Sequence, residues 1–177
     1  MSLMNGVPTR FALALAVALS LDGASAPLRA QETDGVGSVT SLPLPRYVSI
    51  RAREANVRRG PGLTHRIDWE YRRRGLPVEV TAEYGQWRRV RDADGAGGWV
   101  HYSLLSGTRT GLVRGEGPVR LQAGASDRTA LRAMVEPGVI ARIESCDGTW
   151  CEISIDGLEG WVEQPALWGL DPGEVLD

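Results

Sequence analysis

Two passages decide the architecture when set side by side. The first is Trp87-Arg88-Arg89-Val90-Arg91, then Gly98-Trp99-Val100-His101; the second is Trp150-Cys151-Glu152-Ile153-Ser154, then Gly160-Trp161-Val162. Trp87 and Trp150 stand 63 positions apart, Trp99 and Trp161 stand 62 apart. Working outward, Gly75-Leu76 matches Gly138-Val139, Val80 matches Ile143, Gly85 matches Gly148, and Leu105 matches Leu167. Further upstream, Val57-Arg58 aligns with Val119-Arg120 and Gly62 with Gly124, so that one insertion explains the register. Self-similarity at a fixed period marks an internal repeat. The chain therefore reads as two tandem units, 46–109 and 110–177, behind a flexible, polar, proline-bearing leader at 31–45.

Each unit is expected to be all-β. Val78-Glu79-Val80-Thr81 alternates apolar and polar residues, the period of a half-buried strand. Turn residues follow at Glu83-Tyr84-Gly85-Gln86 and Asp92–Gly97, and Ser103-Leu104-Leu105 reads as a short helical turn. Unit two repeats the strands at Val139–Ser145, Thr149–Ile155 and Glu159–Glu163, with a hairpin turn at Asp156-Gly157. Short strands, frequent glycines and no helical periodicity point to two tandem small β-barrels. Composition agrees: the 177 residues include 22 Gly and 10 Pro, with 42% hydrophobic residues. Lys+Arg is 20, all of it Arg, against 22 acids, and this near-balance argues against a nucleic-acid binder.

The first thirty residues read as a secretory signal. The apolar run Phe11–Leu21 is too short to span a bilayer and has the length of a signal's hydrophobic region. Pro27 discourages cleavage after Ala26, so cleavage is expected after Ala30. The mature chain should be exported, periplasmic or secreted, with no transmembrane segment. Cys146 and Cys151 flank Asp147-Gly148-Thr149-Trp150 and face each other across a hairpin with Gly148 at the first central position of a type II′ turn. Facing strand positions lie within disulfide range, and export permits oxidation. A structural disulfide is the reading, because redox pairs favour Cys-x-x-Cys.

The stretch Ala55-Asn56-Val57-Arg58-Arg59-Gly60-Pro61-Gly62 resembles the opening of bacterial SH3 domains, the Src-homology-3-like barrels of exported proteins. The Trp87 hairpin and the Gly98-Trp99-Val100 strand before Ser103-Leu104-Leu105 are similar to the same family. Unit two departs from it at Pro118-Val119-Arg120-Leu121-Gln122-Ala123-Gly124, which lacks the Asn and the Gly-Pro-Gly. The pair also resembles a two-unit periplasmic subfamily with a Cys-x4-Cys hairpin and a Trp-Gly tail, here Trp168-Gly169. The resemblance implies SH3-like barrels and, in some relatives, cell-wall or peptide binding. Within the signature, Gly60 and Gly62 are expected to take positive φ, Pro61 to fix the turn and Asn56 to bond nearby backbone.

No catalytic constellation stands out. The chain has two His and no Gly-x-Ser-x-Gly. His65 reads as a solvated loop residue and His101 as an exposed edge residue. Asp92 and Asp94 before Gly95 faintly suggest a calcium loop, but the twelfth position is Ser103. No enzyme activity, cofactor or metal is expected. Binding is the better class. Trp87 and Trp99 are expected to fill the barrel interior, leaving Tyr84 and Tyr102, beside turns, to line a groove. Charge divides sharply: unit one carries 13 Arg and 7 acids (+6), unit two 5 Arg and 12 acids (−7). Arg72-Arg73-Arg74 is the densest basic run and suits a carboxylate. The ligand site is therefore expected on a face shared by Arg72, Arg73, Arg74, Tyr84 and Tyr102, with peptidoglycan or its stem peptides as ligand. The alternative is a scaffold module docking an envelope protein.

Overall fold

The computed structural model describes residues 35–177; the expected signal segment and its expected cleavage point lie outside the described residues. A short hairpin, β1 (Gly35–Val36) and β2 (Pro43–Leu44), precedes the first barrel. That barrel comprises β3 (Arg46–Ile50), β4 (Ala55–Arg58), β5 (Ile67–Tyr71), β6 (Pro77–Tyr84), β7 (Trp87–Arg91), β8 (Gly97–His101) and β9 (Leu105–Ser106). They pair in the order β5-β4-β8-β7-β6-β3-β9, with a single 3-10 turn at Tyr102–Leu104 before β9. The second barrel comprises β10 (Thr110–Val113), β11 (Val119–Gln122), β12 (Leu131–Val135), β13 (Ile140–Asp147), β14 (Trp150–Ile155), β15 (Leu158–Glu163), β16 (Leu167–Trp168) and β17 (Val175–Leu176). Its order, β12-β11-β15-β14-β13-β10-β16, repeats the first, and β17 adds to β13. Two all-β barrels in tandem are thus observed.

Alternation places the cores. In the first barrel Ile50, Ala55, Val57, Val78, Val80, Val90 and Val100 are buried together; in the second Val113, Leu121, Ile143, Ile153 and Val162 take their places. Because Val90 and Val100 point inward, Trp87 and Trp99 project from the opposite face, and neither joins the apolar cluster. The expectation that they fill the interior is overturned by this parity. Trp87 is nonetheless buried, and Trp99 half-buried, on the barrel's outside.

The repeat is real, but its register near the signature sits two residues later than the Val-Arg match implies. Val57 pairs with Trp69 and Arg58 with Ile67, each beside a bulge; Leu121 pairs with Ala133 and Gln122 with Leu131 beside the same bulge. Arg58 faces Trp99, and Gln122 faces Trp161. Gly98 and Gly160 confirm the equivalence. A methyl group at Gly98 would meet Val57 Cγ1 at 2.7 Å, and one at Gly160 would meet Leu121 Cγ at 2.6 Å. The signature is therefore matched by Val119-Arg120-Leu121-Gln122-Ala123-Gly124-Ala125-Ser126.

Three further expectations change. Gly60 and Gly62 do not take positive φ; the His65 ring instead packs against Gly60, with Cε1 2.6 Å from where a Cβ would stand. Asn56 is exposed, and the loop is clasped by Arg58 instead, whose Nη1 donates to the Leu63 and His65 carbonyls at 2.9 and 2.7 Å. Residues 35–45 of the leader are packed against the first barrel. Leu44 is buried in the first core, and the backbone around Val39 and Thr40 is tied to Glu83.

Candidate functional site

The expected site residues fall into two groups. Arg72, Arg73 and Arg74 follow β5, ahead of the first residue of β6; Tyr84 is the last residue of β6. Eight residues of strand separate them, about 23 Å of contour at ~3.3 Å per residue. Tyr102 lies at the Tyr84 end, because Tyr84 pairs with Trp87 and Trp87 with His101. The single shared face of Arg and Tyr is therefore not formed. Sequence distance hid this, since a strand carries its two ends apart.

The arginines are engaged individually. Arg72 Nε donates to Glu70 at 2.9 Å. Arg73 Nη2 donates to the Gly138 carbonyl of the second barrel at 2.7 Å. Arg74 is exposed. Thr110 Oγ1 donates to the Gly75 carbonyl at 2.7 Å, so this run borders the junction of the barrels.

The tyrosines flank a stacked group. Trp87 and His101 meet edge to face with centroids 5.4 Å apart, and His101 and Tyr102 lie 5.0 Å apart. His101 is held on both sides, Nδ1 2.8 Å from Ser103 Oγ and Nε2 3.2 Å from Gln86 Oε1. The Tyr102 backbone N–H donates to the Gln86 carbonyl at 2.9 Å. Tyr84 is 65% exposed and Tyr102 50% exposed, so two phenol rings are presented to solvent beside a fixed imidazole and a buried indole. Flat rings offer contact area at low entropic cost, and their hydroxyls can bond polar ligands. His101 belongs to this group rather than standing as an isolated edge residue; its cross-strand position opposite Trp87 was the signal available for finding it.

Beneath this surface lies a residue that reads in sequence as part of a turn. Glu83 is buried and accepts hydrogen bonds from Val39 N (3.0 Å), Thr40 N (2.9 Å), Thr40 Oγ1 (2.7 Å) and Arg46 Nη2 (2.7 Å). Arg88, also buried, faces it with Nε at 3.4 Å and bonds the Gly85 and Trp87 carbonyls. Burial alone would push the Glu83 carboxyl up; the bonds from Thr40, Arg46 and Val39 overcome it and hold the group at about 2. Glu83 thus fixes the hairpin that carries Tyr84 and Trp87, and fastens the leader to it.

The second barrel fills the corresponding end differently. Cys146 and Cys151 are joined in a disulfide, as expected, and Gly148 supplies positive φ at the first turn position. Gln164 stands where Tyr102 does, at the start of the second 3-10 turn, but is buried: its Nε2 donates to the Glu174 carbonyl and its Oε1 accepts from Gly173 N. The C-terminal strand β17 covers this end by pairing with Cys146 and Asp147. Among the described residues no cluster of His, Cys, Asp and Glu could hold a metal, and no helix is long and apolar enough to cross a membrane. Asp92 accepts from Tyr71 Oη and from the Asp94 and Ala96 amides, which makes Asp92–Gly97 a hairpin loop.

Over 123 residues the chain is 27% identical to "Putative N-acetylmuramoyl-L-alanine amidase YrvJ" of Bacillus subtilis (strain 168), covering 64% of this chain and 24% of that protein. The chain thus spans about a quarter of the length of this curated relative. Among solved structures, NlpC2 from Trichomonas vaginalis aligns at a TM-score of 0.32 with 15% identity, over 70% of this chain and 48% of that one. An NlpC/P60 family protein from Bacillus cereus ATCC 10987 aligns at 0.32 with 11% identity, over 69% and 55%. The bacterial SH3 domain family matches at residues 51–107 and again at 115–169, one match for each barrel. With two successive matches covering more than half its length, the chain belongs to the bacterial SH3 domain family and carries the domain in tandem.

Proposed function

We propose that the chain is an exported cell-wall-binding module whose first barrel engages peptidoglycan, through its stem peptides, at the Tyr84–His101–Tyr102 end. The observation that carries this reading is the presentation of two exposed tyrosines around a fixed imidazole, where the second barrel has Asp147, Glu163 and a buried Gln164. Family membership supports it, as does likeness to a protein named for an enzyme acting on N-acetylmuramoyl-L-alanine. The +6 charge of the first unit favours approach of carboxylate-bearing peptides. Arg72 and Arg74 are available to contribute to that field, whereas Arg73 serves the junction. The role is binding without chemistry, and export follows from the apolar segment Phe11–Leu21.

Cosedimentation with purified sacculi tests the reading. The protein should pellet with sacculi, release no soluble fragments from them, and bind less as salt rises. Tyr84→Ala with Tyr102→Ala should weaken retention about tenfold or more, as loss of aromatic anchors does. Retention in the double variant equal to that of the parent would move the site elsewhere. A parent protein left wholly in the supernatant would end the proposal. Mass spectrometry of the mature N-terminus checks export, with Gln31 as the expected first residue.

A further inference from the structure

The outer faces of the two central hairpins carry the same indoles and opposite charges. On the first barrel, β7 and β8 pair Trp87 with His101 and Arg89 with Trp99. On the second, β14 and β15 pair Trp150 with Glu163, Glu152 with Trp161 and Ser154 with Glu159. Arg89 and Glu152 thus occupy the same place, each directly across from the half-buried Trp of the neighbouring strand. Arg89 is exposed, Glu159 and Glu163 are exposed, and Glu152 is half-buried. Among the described residues none of these four side chains takes part in an ion pair within the chain. Nor does the junction of the barrels consume them. It is built from Tyr47 against Trp168, Arg73 to Gly138, and Thr110 to Gly75.

A face bearing Trp99 and Arg89 and a face bearing Trp161 and Glu152 are complementary in charge, and each sets a half-buried indole beside its charged residue. We propose that these faces are docking surfaces for each other in two copies of this chain, the basic hairpin of one barrel one meeting the acidic hairpin of another barrel two. The wider fields point the same way, +6 on unit one and −7 on unit two. Complementary potentials steer encounter and penalise like-with-like pairing. Two five- to six-residue strands make a small patch, at the low end of interface sizes, so the association is transient and salt-sensitive. Because donor and acceptor faces lie on different barrels, the contact is heterologous unless two copies close it reciprocally into a dimer.

Sedimentation equilibrium of the signal-free protein, in a concentration series at low and high salt, provides the test. Mass should rise above the monomer at low salt and return to it at high salt. Arg89→Glu places a carboxylate across from the indole on both faces and Glu152→Arg a guanidinium on both, so each variant alone should associate at least about tenfold more weakly. An equimolar mixture of the two should associate again, because each chain now offers what the other lacks. The chain carrying both substitutions should regain self-association. Circular dichroism of each variant verifies that the barrels remain folded, and the mixture reads pairing through intact partners. A parent that stays monomeric into the millimolar range at low salt overturns the proposal. So does an association that is indifferent to both reversals, or two variants that do not associate on mixing.

Discussion

At one step of the same hairpin the two barrels use different fasteners. Glu83 faces Arg88 across β6 and β7; Cys146 faces Cys151 across β13 and β14. One barrel holds its turn with a buried ion pair that also recruits the leader, the other with a covalent bond beside which the C-terminal strand docks. The geometry demanded by the fold is the proximity of two facing side chains near the turn, and unlike chemistries satisfy it. The difference lies in what undoes each fastener.

The largest effect should come from cutting the ionic one. Glu83→Ala leaves Arg88 buried without its carboxylate and frees Arg46 and the Val39 and Thr40 amides. Breaking such a pair costs about 3–5 kcal/mol, and calorimetry should show the first barrel melting earlier while protease opens residues 35–45. Acid should do a reversible version of this. The Glu83 carboxyl ordinarily titrates near 4.5 and is held at about 2 in the fold, so its contribution is present above pH 4.5 and is lost as pH falls toward 2. The shift corresponds to about 3 kcal/mol, and hydrogen exchange followed down that window should deprotect β6 and β7. Acid also reaches the tail of the second barrel. There burial would raise Glu174, but Arg109 and the Asp171 amide hold it below its usual range.

Reductant should separate the barrels more cleanly. The disulfide closes a short loop, worth about 2 kcal/mol, so Cys146→Ser with Cys151→Ser, or reduction, should destabilise β13, β14 and β17 while leaving β6 and β7 protected. Equal deprotection of both hairpins would show that the fasteners are not local. The smallest effect belongs to the junction. Arg73→Ala removes one hydrogen bond to Gly138, about 1 kcal/mol. It should lower the melting temperature slightly without touching sacculus binding.

Much of this was legible before any coordinates. Alternation at Val78–Thr81, the Trp repeats and the turn glycines suffice for two barrels, because each is a local signal with a fixed period. The cysteine staple was legible for the same reason, its partners being only a turn apart. Glu83 was not, since its partner Thr40 comes from a segment that looks like a linker and Arg46 stands at the very start of the first unit, and proximity across 37 or more residues leaves no periodic trace. The slipped match at Val119-Arg120 has a related cause. Unit two carries an extra residue ahead of β11, and alternating strands align almost as well two residues out of step, because the inward parity is unchanged. The Arg and Tyr candidates both lie on the first barrel, but one strand length keeps them apart.

Arg109 lies in the link between the barrels. Its guanidinium rests over the Tyr47 ring at 5.9 Å, grips both carboxylate oxygens of Glu174 and donates to the Gly169 carbonyl. Tyr47 lies on the first strand of the first barrel and Glu174 in the last segment of the second, so one side chain joins the two. A lesion at either place is therefore felt at the other. Calorimetry should record the two barrels melting closer together in the intact protein than in Arg109→Ala, where each melts on its own terms.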